Sequence, residues 1–129
     1  MILDTTAIID LLRGEPRVIE KINNLEEKNI PLYLTSVSVF EIWQGIKDLL
    51  DEKKRDKINN LLETMANFSF DISAAKEAGS IHASLKKEGK VIDPEDSMIA
   101  GIAKVNKEKI LTRNIKHFQR IHGIIVESY

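Results

Sequence analysis

The chain contains no cysteine, only three prolines and 5% aromatic residues. The absence of cysteine excludes disulfide bonds, thiolate zinc sites and cysteine nucleophiles, and it agrees with the reducing cytoplasm, where we expect the protein to act. No apolar run approaches the ~20 residues of a membrane-spanning helix. The first residues lack the basic region of a signal peptide, and Asp4 and Asp10 interrupt their apolar stretch. We therefore expect no membrane partner.

The composition is that of a folded domain. Hydrophobic residues make up 43% and charged residues 30%, which is enough to bury a core. The length of 129 residues fits one domain, which we assign to residues 1–129. A net charge of −1 argues against a broad basic surface that binds nucleic acid non-specifically. The charge is uneven, however, because residues 91–100 have three acidic and no basic side chains, whereas residues 101–129 have six basic and two acidic ones.

Short apolar segments alternate with amphipathic ones along the chain. Strands separated by helices imply a parallel sheet with crossover helices. We therefore predict a three-layer α/β/α fold with a central parallel sheet of four to five short strands. The predicted strands lie in "MILD", "PLYLTS", "FSFD", "KILT" and "GIIVES".

Residues 36–66 predict a protruding pair of helices. In the first of them, Ile42, Trp43, Ile46 and Leu50 are spaced to face inward. We expect Trp43 to lie in the core, and the pair also to form an apolar groove.

Polar side chains follow two of the predicted strands. Asp4 comes directly after "MIL", and Asn114 follows "ILTR". In open α/β sheets, ligands bind beyond the carboxyl ends of the strands. Both residues are therefore candidates for one site.

Two further acids lie on inward helix faces. Asp96 precedes Ile99 and Ala100 at the spacing of one buried stripe, and Glu41 borders the core beside Ile42. Several carboxylates at one place raise each other's pKa unless a cation compensates them. A hard divalent ion such as Mg²⁺ or Mn²⁺ prefers oxygen ligands, and it activates water and neutralises phosphate oxygens. The four positions thus predict an acidic, metal-binding pocket.

Each position also has a simpler interpretation. Asp4 is a suitable N-cap for the helix that follows it. Asp93 is a suitable cap before Pro94, and Asp96 then lies in a first turn where the helix dipole favours acids. Glu41 fits a helix surface, and Asn114 fits a turn. The metal hypothesis depends on the fold bringing all of them to one place.

Three segments resemble the PIN-domain ribonucleases of the VapBC toxin–antitoxin type, specifically the toxin partner. They are "MILDTTAIIDLLRG", "LTSVSVFEIWQGI" and the long segment from "FSFDISAAKEAG" through "IDPEDSMIAGIAKV" to "LTRNIKHF". The resemblance covers the whole chain, and its strength lies in the order and spacing of the motifs.

The resemblance assigns the catalytic positions to Asp4, Glu41, Asp96 and Asn114. Asp4 and Asp96 would bind the metal, and Glu41 and Asn114 would bind it directly or through water. Many members have Asp at the fourth position, and some have a further Asp where this chain has His117. The site therefore has less negative charge around Asn114, the fourth catalytic position, which leaves open whether one or two ions bind.

The resemblance implies Mg²⁺- or Mn²⁺-dependent hydrolysis of RNA, with tRNA or rRNA as candidate substrates. It also implies a cognate antitoxin and a homodimer. Residues near the acids could orient ligands or water, although capping would explain them equally well: Thr5, Thr6, Ser36, Asp93 and Thr112. Residues that could contact RNA phosphates, or be ordinary surface charges, are Arg13, Arg113 and Lys116.

Other classes of protein fit less well. A phosphoaspartate receiver domain needs paired acids near its first strand and an Asp after a central strand, and "MILDTT" and "YLTS" do not supply them. A haloacid-dehalogenase-type phosphatase needs a second Asp two residues after Asp4, where Thr6 stands. The main alternative is a catalytically weak or silent PIN-like module that binds RNA or protein.

Overall fold

The structure, a computed structural model, describes all residues from 1 to 129. The strands are β1 (Ile2–Leu3), β2 (Leu34–Thr35), β3 (Asn67–Phe68), β4 (Ile110–Leu111) and β5 (Val126–Glu127). The helices are α1 (Thr5–Leu12), α2 (Pro16–Glu27), α3 (Ser36–Ile46), α4 (Glu52–Thr64), α5 (Ile72–Lys87), α6 (Pro94–Asn106) and α7 (Ile115–Phe118). None of these helices has the length and apolar character needed to cross a bilayer.

All five strands run parallel. β4 lies between β1 and β5, with Ile2 opposite Ile110 and Ile110 opposite Val126. β2 pairs with β3, and a bridge between Ile2 and Tyr33 places β2 on the other side of β1. The strand order is therefore β3-β2-β1-β4-β5. The direction of winding reverses between β1 and β4, which is where open parallel sheets bind ligands.

Apolar side chains form one cluster on each face of the sheet. Because side chains alternate along a strand, Ile2 and Ile110 join one cluster, while Leu3 and Leu111 join the other. The first cluster includes buried residues of α5 and α6, and the second includes buried residues of α1, α2 and α4. Helices therefore cover both faces of the sheet, and the predicted three-layer α/β/α fold is confirmed.

The register of β1 and β4 brings two strand ends together. Leu3 is opposite Leu111, so the next residues, Asp4 and Thr112, are neighbours at the carboxyl edge of the sheet. The main-chain N–H of Asp4 donates to the carbonyl oxygen of Leu111 at 3.0 Å. This parallel pairing determines where the side chain of Asp4 lies.

The helical pair α3 and α4 differs from the prediction at its outer surface. Ile42 and Ile58 are buried between the two helices and the rest of the fold, as expected. Trp43, however, is 40% exposed and Leu50 is 97% exposed, so the prediction that they face the core was wrong. α3 ends at Ile46, and Leu50 therefore lies in the connection before α4. Trp43 is turned by about 100° around the helix from Ile42.

α5 and α6 approach each other closely at Gly101. A Cβ atom at Gly101 would lie 2.6 Å from the carbonyl oxygen of Ala74 and 2.8 Å from the Cβ of Ala78. Both atoms belong to α5, and the carbonyl is part of the backbone and cannot rotate away. The missing side chain of Gly101 therefore lets α6 contact α5, and this contact holds the helix whose first turn contains Asp96.

Gly101→Ala is expected to lower the free energy of unfolding by roughly 1–3 kcal/mol, because the added methyl group must push α5 and α6 apart. Gly79→Ala in α5 is the matched control, since nothing lies within 4 Å of its added Cβ. Alanine is the better helix former, so this control should be stabilising by up to about 1 kcal/mol. Chemical denaturation measures both changes, and equal effects of the two substitutions would contradict the close contact.

Candidate functional site

Asp4 stands at the end of β1 and at the N-cap of α1. Only 2% of its surface is exposed. Its Oδ2 atom accepts hydrogen bonds from the hydroxyl groups of Thr6 at 2.8 Å and Thr112 at 2.7 Å, and a longer one from the main-chain N–H of Thr6 at 3.4 Å. Oδ1 accepts none from the protein. Asp4 therefore caps α1 with one oxygen atom, and its other oxygen atom has no protein donor.

Glu41 reaches Asp4's end of α1 from α3. Thr35, the last residue of β2, caps α3 by accepting a hydrogen bond from the main-chain N–H of Ser38 at 3.0 Å. The helix therefore starts at the strand end, and Glu41 lies a turn and a half later. The hydroxyl group of Thr5 donates to Oε1 of Glu41 at 2.7 Å. Oε2 of Glu41 has no hydrogen bond within the protein.

Asp96 lies in the first turn of α6, where the helix dipole favours a negative charge. Ile99 and Ala100 of the same helix are fully buried, so Asp96 is on the inward stripe, as predicted. Nδ1 of His117 in α7 is 2.8 Å from Oδ2 of Asp96. Because an ionised carboxylate only accepts hydrogen bonds, His117 donates this bond. Oδ1 of Asp96 accepts none from the protein.

The three carboxylates influence one another electrostatically. Burial raises the pKa of Glu41, the hydrogen bond from Thr5 opposes this rise, and the negative charges of Asp4 and Asp96 add to it. Burial likewise raises the pKa of Asp96; the hydrogen bond from His117 opposes this rise, and the charge of Asp4 adds to it. The fold therefore brings these acids together against their mutual repulsion.

The donor chemistry at this point fits a divalent cation. Each carboxylate has one oxygen atom fixed by a protein donor and one without such a donor, namely Oδ1 of Asp4, Oε2 of Glu41 and Oδ1 of Asp96. Hard cations bind carboxylate oxygens and retain several waters. A cation would also offset both the burial of charge and the repulsion that together raise the pKa values of Glu41 and Asp96.

Two further acids lie near the three carboxylates. The ligand atoms of Asp93, Asp96 and His117 all lie within 4.8 Å of one another. Asp93 is the N-cap residue of α6, but its side chain makes no capping hydrogen bond. Glu95, which the sequence reasoning missed, contributes negative charge that raises the pKa of Glu41. The contact between His117 and Asp96 was not predicted from the sequence either.

The segment after β4 lies against Asp4. Thr112 is fully buried, and its hydroxyl group both donates to Asp4 and accepts from the main-chain N–H of Asn114 at 2.9 Å. The main-chain N–H of Arg113 donates to the hydroxyl group of Thr6 at 3.2 Å. The side chain of Asn114 is exposed and makes no hydrogen bond within the protein. Its amide oxygen is therefore free to act as a ligand.

Three of the predicted residues make no hydrogen bond to the three carboxylates. The hydroxyl group of Ser36 instead accepts a hydrogen bond from the main-chain N–H of Phe70 at 2.9 Å, so it connects α3 to the segment after β3. Arg13 is exposed and borders, with Glu41, a groove between α1, α3 and α4. Lys116 is exposed on α7 and forms no ion pair.

The sequence reasoning also missed Asp10, which is 4% exposed. Its carboxylate accepts hydrogen bonds from Nη1 of Arg113 at 2.9 and 3.0 Å and from the hydroxyl group of Tyr129 at 2.7 Å. Arg113 is thus held in an ion pair. A signal was present in the sequence, because Asp10 follows Ala7 by three residues and so lies on the buried face of α1.

Comparisons with known proteins agree with this fold. The profile of the PIN domain family matches residues 1–124. The chain belongs to the PIN-domain family. It is 29% identical to the tRNA(fMet)-specific endonuclease VapC of Salmonella typhimurium, over 98% of this chain and 96% of the relative. It is 32% identical to ribonuclease VapC3 of Methanocaldococcus jannaschii, over 78% of this chain and 95% of the relative.

Solved structures point to the same group. The crystal structure of DNA-bound VapBC from Salmonella typhimurium superposes with a TM-score of 0.86 at 28% identity, and the match covers 98% of this chain and 96% of the other. Together with the sequence relatives, this structure identifies the chain as a VapC-type PIN domain, as the resemblance in its motifs indicated.

Glu41→Gln is expected to raise the melting temperature of the metal-free protein at neutral pH by a few degrees. The amide can still accept the hydrogen bond from Thr5, and the substitution removes one of the mutually repelling charges. Because the pKa of Glu41 is raised in the folded state, ionised Glu41 costs stability above that pKa, and the cost disappears as the pH falls and the carboxyl group binds a proton. The gain should therefore shrink on acidification.

Thermal melting in EDTA over a series of pH values measures this gain. Glu26→Gln, on the exposed face of α2, is the control and should have little effect. A lower melting temperature for Glu41→Gln at neutral pH would contradict the repulsion between the carboxylates.

Proposed function

We propose that this VapC-type PIN domain is a metal-dependent endoribonuclease, the toxin of a toxin–antitoxin pair. The observation that carries the proposal is the group of three carboxylates beyond β1 and β4, each with one oxygen atom free of protein donors. Relatives named as a ribonuclease and as a tRNA(fMet)-specific endonuclease support it. RNA is therefore the proposed substrate, with tRNA and rRNA as the candidate classes.

Asp4 and Asp96 would bind Mg²⁺ or Mn²⁺, and Glu41 and Asn114 would bind it directly or through water. An ion bound there supplies an activated water and neutralises charge on phosphate oxygens. The neighbouring donors hold the carboxylates in fixed orientations, as Thr112 does for Asp4. Asn114, at the fourth catalytic position, has no negative charge, so a second ion would be held more weakly than the first.

Basic residues near the acids would position the RNA. Arg13, Arg113 and Lys116 are all exposed, and phosphate contacts fix the register of a nucleic acid without reading its sequence. This assignment gives the basic segment after residue 101 a role. It also agrees with the net charge of −1, because the contacts are local and need no broad basic surface.

An antitoxin protein is the second proposed partner. The groove between α1, α3 and α4 is lined by Ile9, Ile42 and Ile46, and Glu41 lies at its edge. An antitoxin segment in this groove that carries an arginine could pair with the carboxylates and exclude RNA. We also propose a homodimer, and the exposed side chains of Phe40 and Trp43 on α3 are consistent with burial against another protein surface.

The alternative function is a PIN-like module that binds RNA or protein without cleaving it. Such a module would be expected to have lost at least one acid. Asp4, Glu41 and Asp96 are all present, and their charges interact. Retention of all three favours catalysis over binding alone.

Asp4→Asn and Asp96→Asn are each expected to reduce RNA cleavage by roughly 100-fold or more, because even residues that only orient metal ligands affect activity 10–100-fold. The assay uses purified, antitoxin-free protein with pooled tRNA and structured RNA, in Mg²⁺ or Mn²⁺ and in EDTA. Asp56→Asn, on the exposed face of α4, is the control. Equal cleavage by the wild type and both variants, or cleavage that persists in EDTA, would overturn the proposed function.

His117→Ala is expected to weaken Mn²⁺ binding roughly tenfold, because Asp96 loses the donor that fixes its Oδ2 atom. Isothermal titration calorimetry of the metal-free protein with Mn²⁺ measures the affinity. His122→Ala is the matched control, since His122 is exposed and hydrogen-bonds to nothing in the protein. An unchanged affinity for His117→Ala would show that the contact does not support the site.

A further inference from the structure

The side chains of Asp10 and Arg113 form an ion pair near the proposed site and make no hydrogen bond to its three carboxylates. Asp10 is nearly completely buried in α1, and Nη1 of Arg113 contacts both of its carboxylate oxygens, at 2.9 and 3.0 Å. The hydroxyl group of Tyr129 donates to Oδ2 of Asp10 at 2.7 Å. Because the Asp10 carboxylate is buried and has two partners, its position is fixed, and it in turn fixes the position of the group that pairs with it.

Arg113 is held at both ends. Its main-chain N–H donates to the hydroxyl group of Thr6 at 3.2 Å, and the same hydroxyl group donates to Asp4 at 2.8 Å. Its guanidinium group is held by Asp10. The position of the Arg113 side chain is therefore determined relative to the carboxylates, which is unusual for a side chain that is 51% exposed.

The guanidinium group of Arg113 still has a free edge. Only Nη1 contacts the protein, so the N–H groups of Nε and Nη2 are without protein partners. A guanidinium group with two such donors matches the geometry of a phosphate. Because the group is fixed before any ligand arrives, binding a phosphate would cost little conformational entropy.

The position of Asp10 in α1 also indicates which phosphate of the RNA would bind to Arg113. Asp10 follows Asp4 by six residues in α1, which corresponds to about 9 Å along the helix axis. The guanidinium group hydrogen-bonds to Asp10 beside α1 and to none of the three carboxylates. A phosphate bound to this group would lie beside the three carboxylates rather than among them, and would therefore belong to a nucleotide flanking the cleaved bond.

We propose that Asp10 and Tyr129 are positioning residues, which hold the guanidinium group of Arg113 in place to bind an RNA phosphate flanking the cleaved bond. This inference rests on the proposed ribonuclease function. Tyr129 suits the role, because burial and the neighbouring Asp10 raise the pKa of its phenol group, which therefore remains a donor. The competing explanation is that the pair only fastens the segment after β5 to α1.

The first test compares Tyr129→Phe with Tyr33→Phe. Tyr33 packs against Phe68 with a ring-centroid distance of 4.5 Å, and its hydroxyl group makes no hydrogen bond within the protein. Binding of pooled tRNA is measured in EDTA, where cleavage is absent, and KM and kcat are measured in Mn²⁺. Tyr129→Phe should weaken binding and raise KM roughly three- to tenfold with little change in kcat. Tyr33→Phe should leave all three values unchanged.

The second test uses a double-mutant cycle with Arg113→Lys. Lysine can pair with Asp10 but offers no forked edge to a phosphate, so Tyr129→Phe should have little further effect on tRNA binding in that background. If Asp10 and Tyr129 only fasten the segment after β5 to α1, the losses of tRNA binding caused by Tyr129→Phe and by Arg113→Lys should add in full. Thermal melting of each variant shows whether a loss of binding reflects unfolding.

The third test asks whether Asp10→Asn strengthens or weakens the binding of tRNA. Asp10→Asn removes a negative charge near a bound polyanion, so simple electrostatics predicts tighter tRNA binding. Positioning predicts weaker binding. Tighter binding by Asp10→Asn, unchanged binding by Tyr129→Phe, or additive losses in the cycle would each overturn the inference. If the wild type cleaves tRNA while the variants bind normally, only this inference fails; if the wild type neither binds nor cleaves tRNA, the proposed function fails and the inference fails with it.

Discussion

The hydrogen bonds that the side chain of Asp4 accepts all fall on one of its two carboxylate oxygens, and the site depends on this arrangement. The pairing of Leu3 with Leu111 puts Asp4 beside Thr112, and the start of α1 puts Thr6 on the same oxygen. These hydroxyl groups satisfy a carboxylate that is almost completely buried. The remaining oxygen, Oδ1, accepts no hydrogen bond from the protein. One carboxylate therefore caps α1 through Oδ2 and leaves Oδ1 without a protein donor.

The rest of the fold brings further negative charge to this oxygen. α3 begins at the end of β2 and supplies Glu41, and α6, held against α5 at Gly101, supplies Asp96. Their raised pKa values reflect burial and mutual repulsion, so the metal-free site lowers the stability of the folded state. A divalent cation bound there, as we propose, would remove this cost, so that stability, metal affinity and activity would be coupled.

The sequence predicted the elements and their order because hydrophobic periodicity and strand-end acids are local signals. The helical stripe of Ile99 and Ala100 placed Asp96 correctly, and the strand end placed Asp4. The sequence could not predict contacts that depend on tertiary packing, such as that of Arg113 with Asp10 or that of His117 with Asp96. Trp43 was misplaced because an apolar side chain at helical spacing does not reveal whether another surface lies over it.

The most direct test of the central claim is to locate Mn²⁺ by anomalous diffraction in crystals of the antitoxin-free protein. We expect one well-occupied ion bonded at about 2.1 Å to Oδ1 of Asp4 and to Oδ1 of Asp96. The oxygens that accept hydrogen bonds from Thr112 and His117 should stay bonded to those donors. An ion bound by Asp93 and His117 without Asp4, or no ion at millimolar Mn²⁺, would contradict the account.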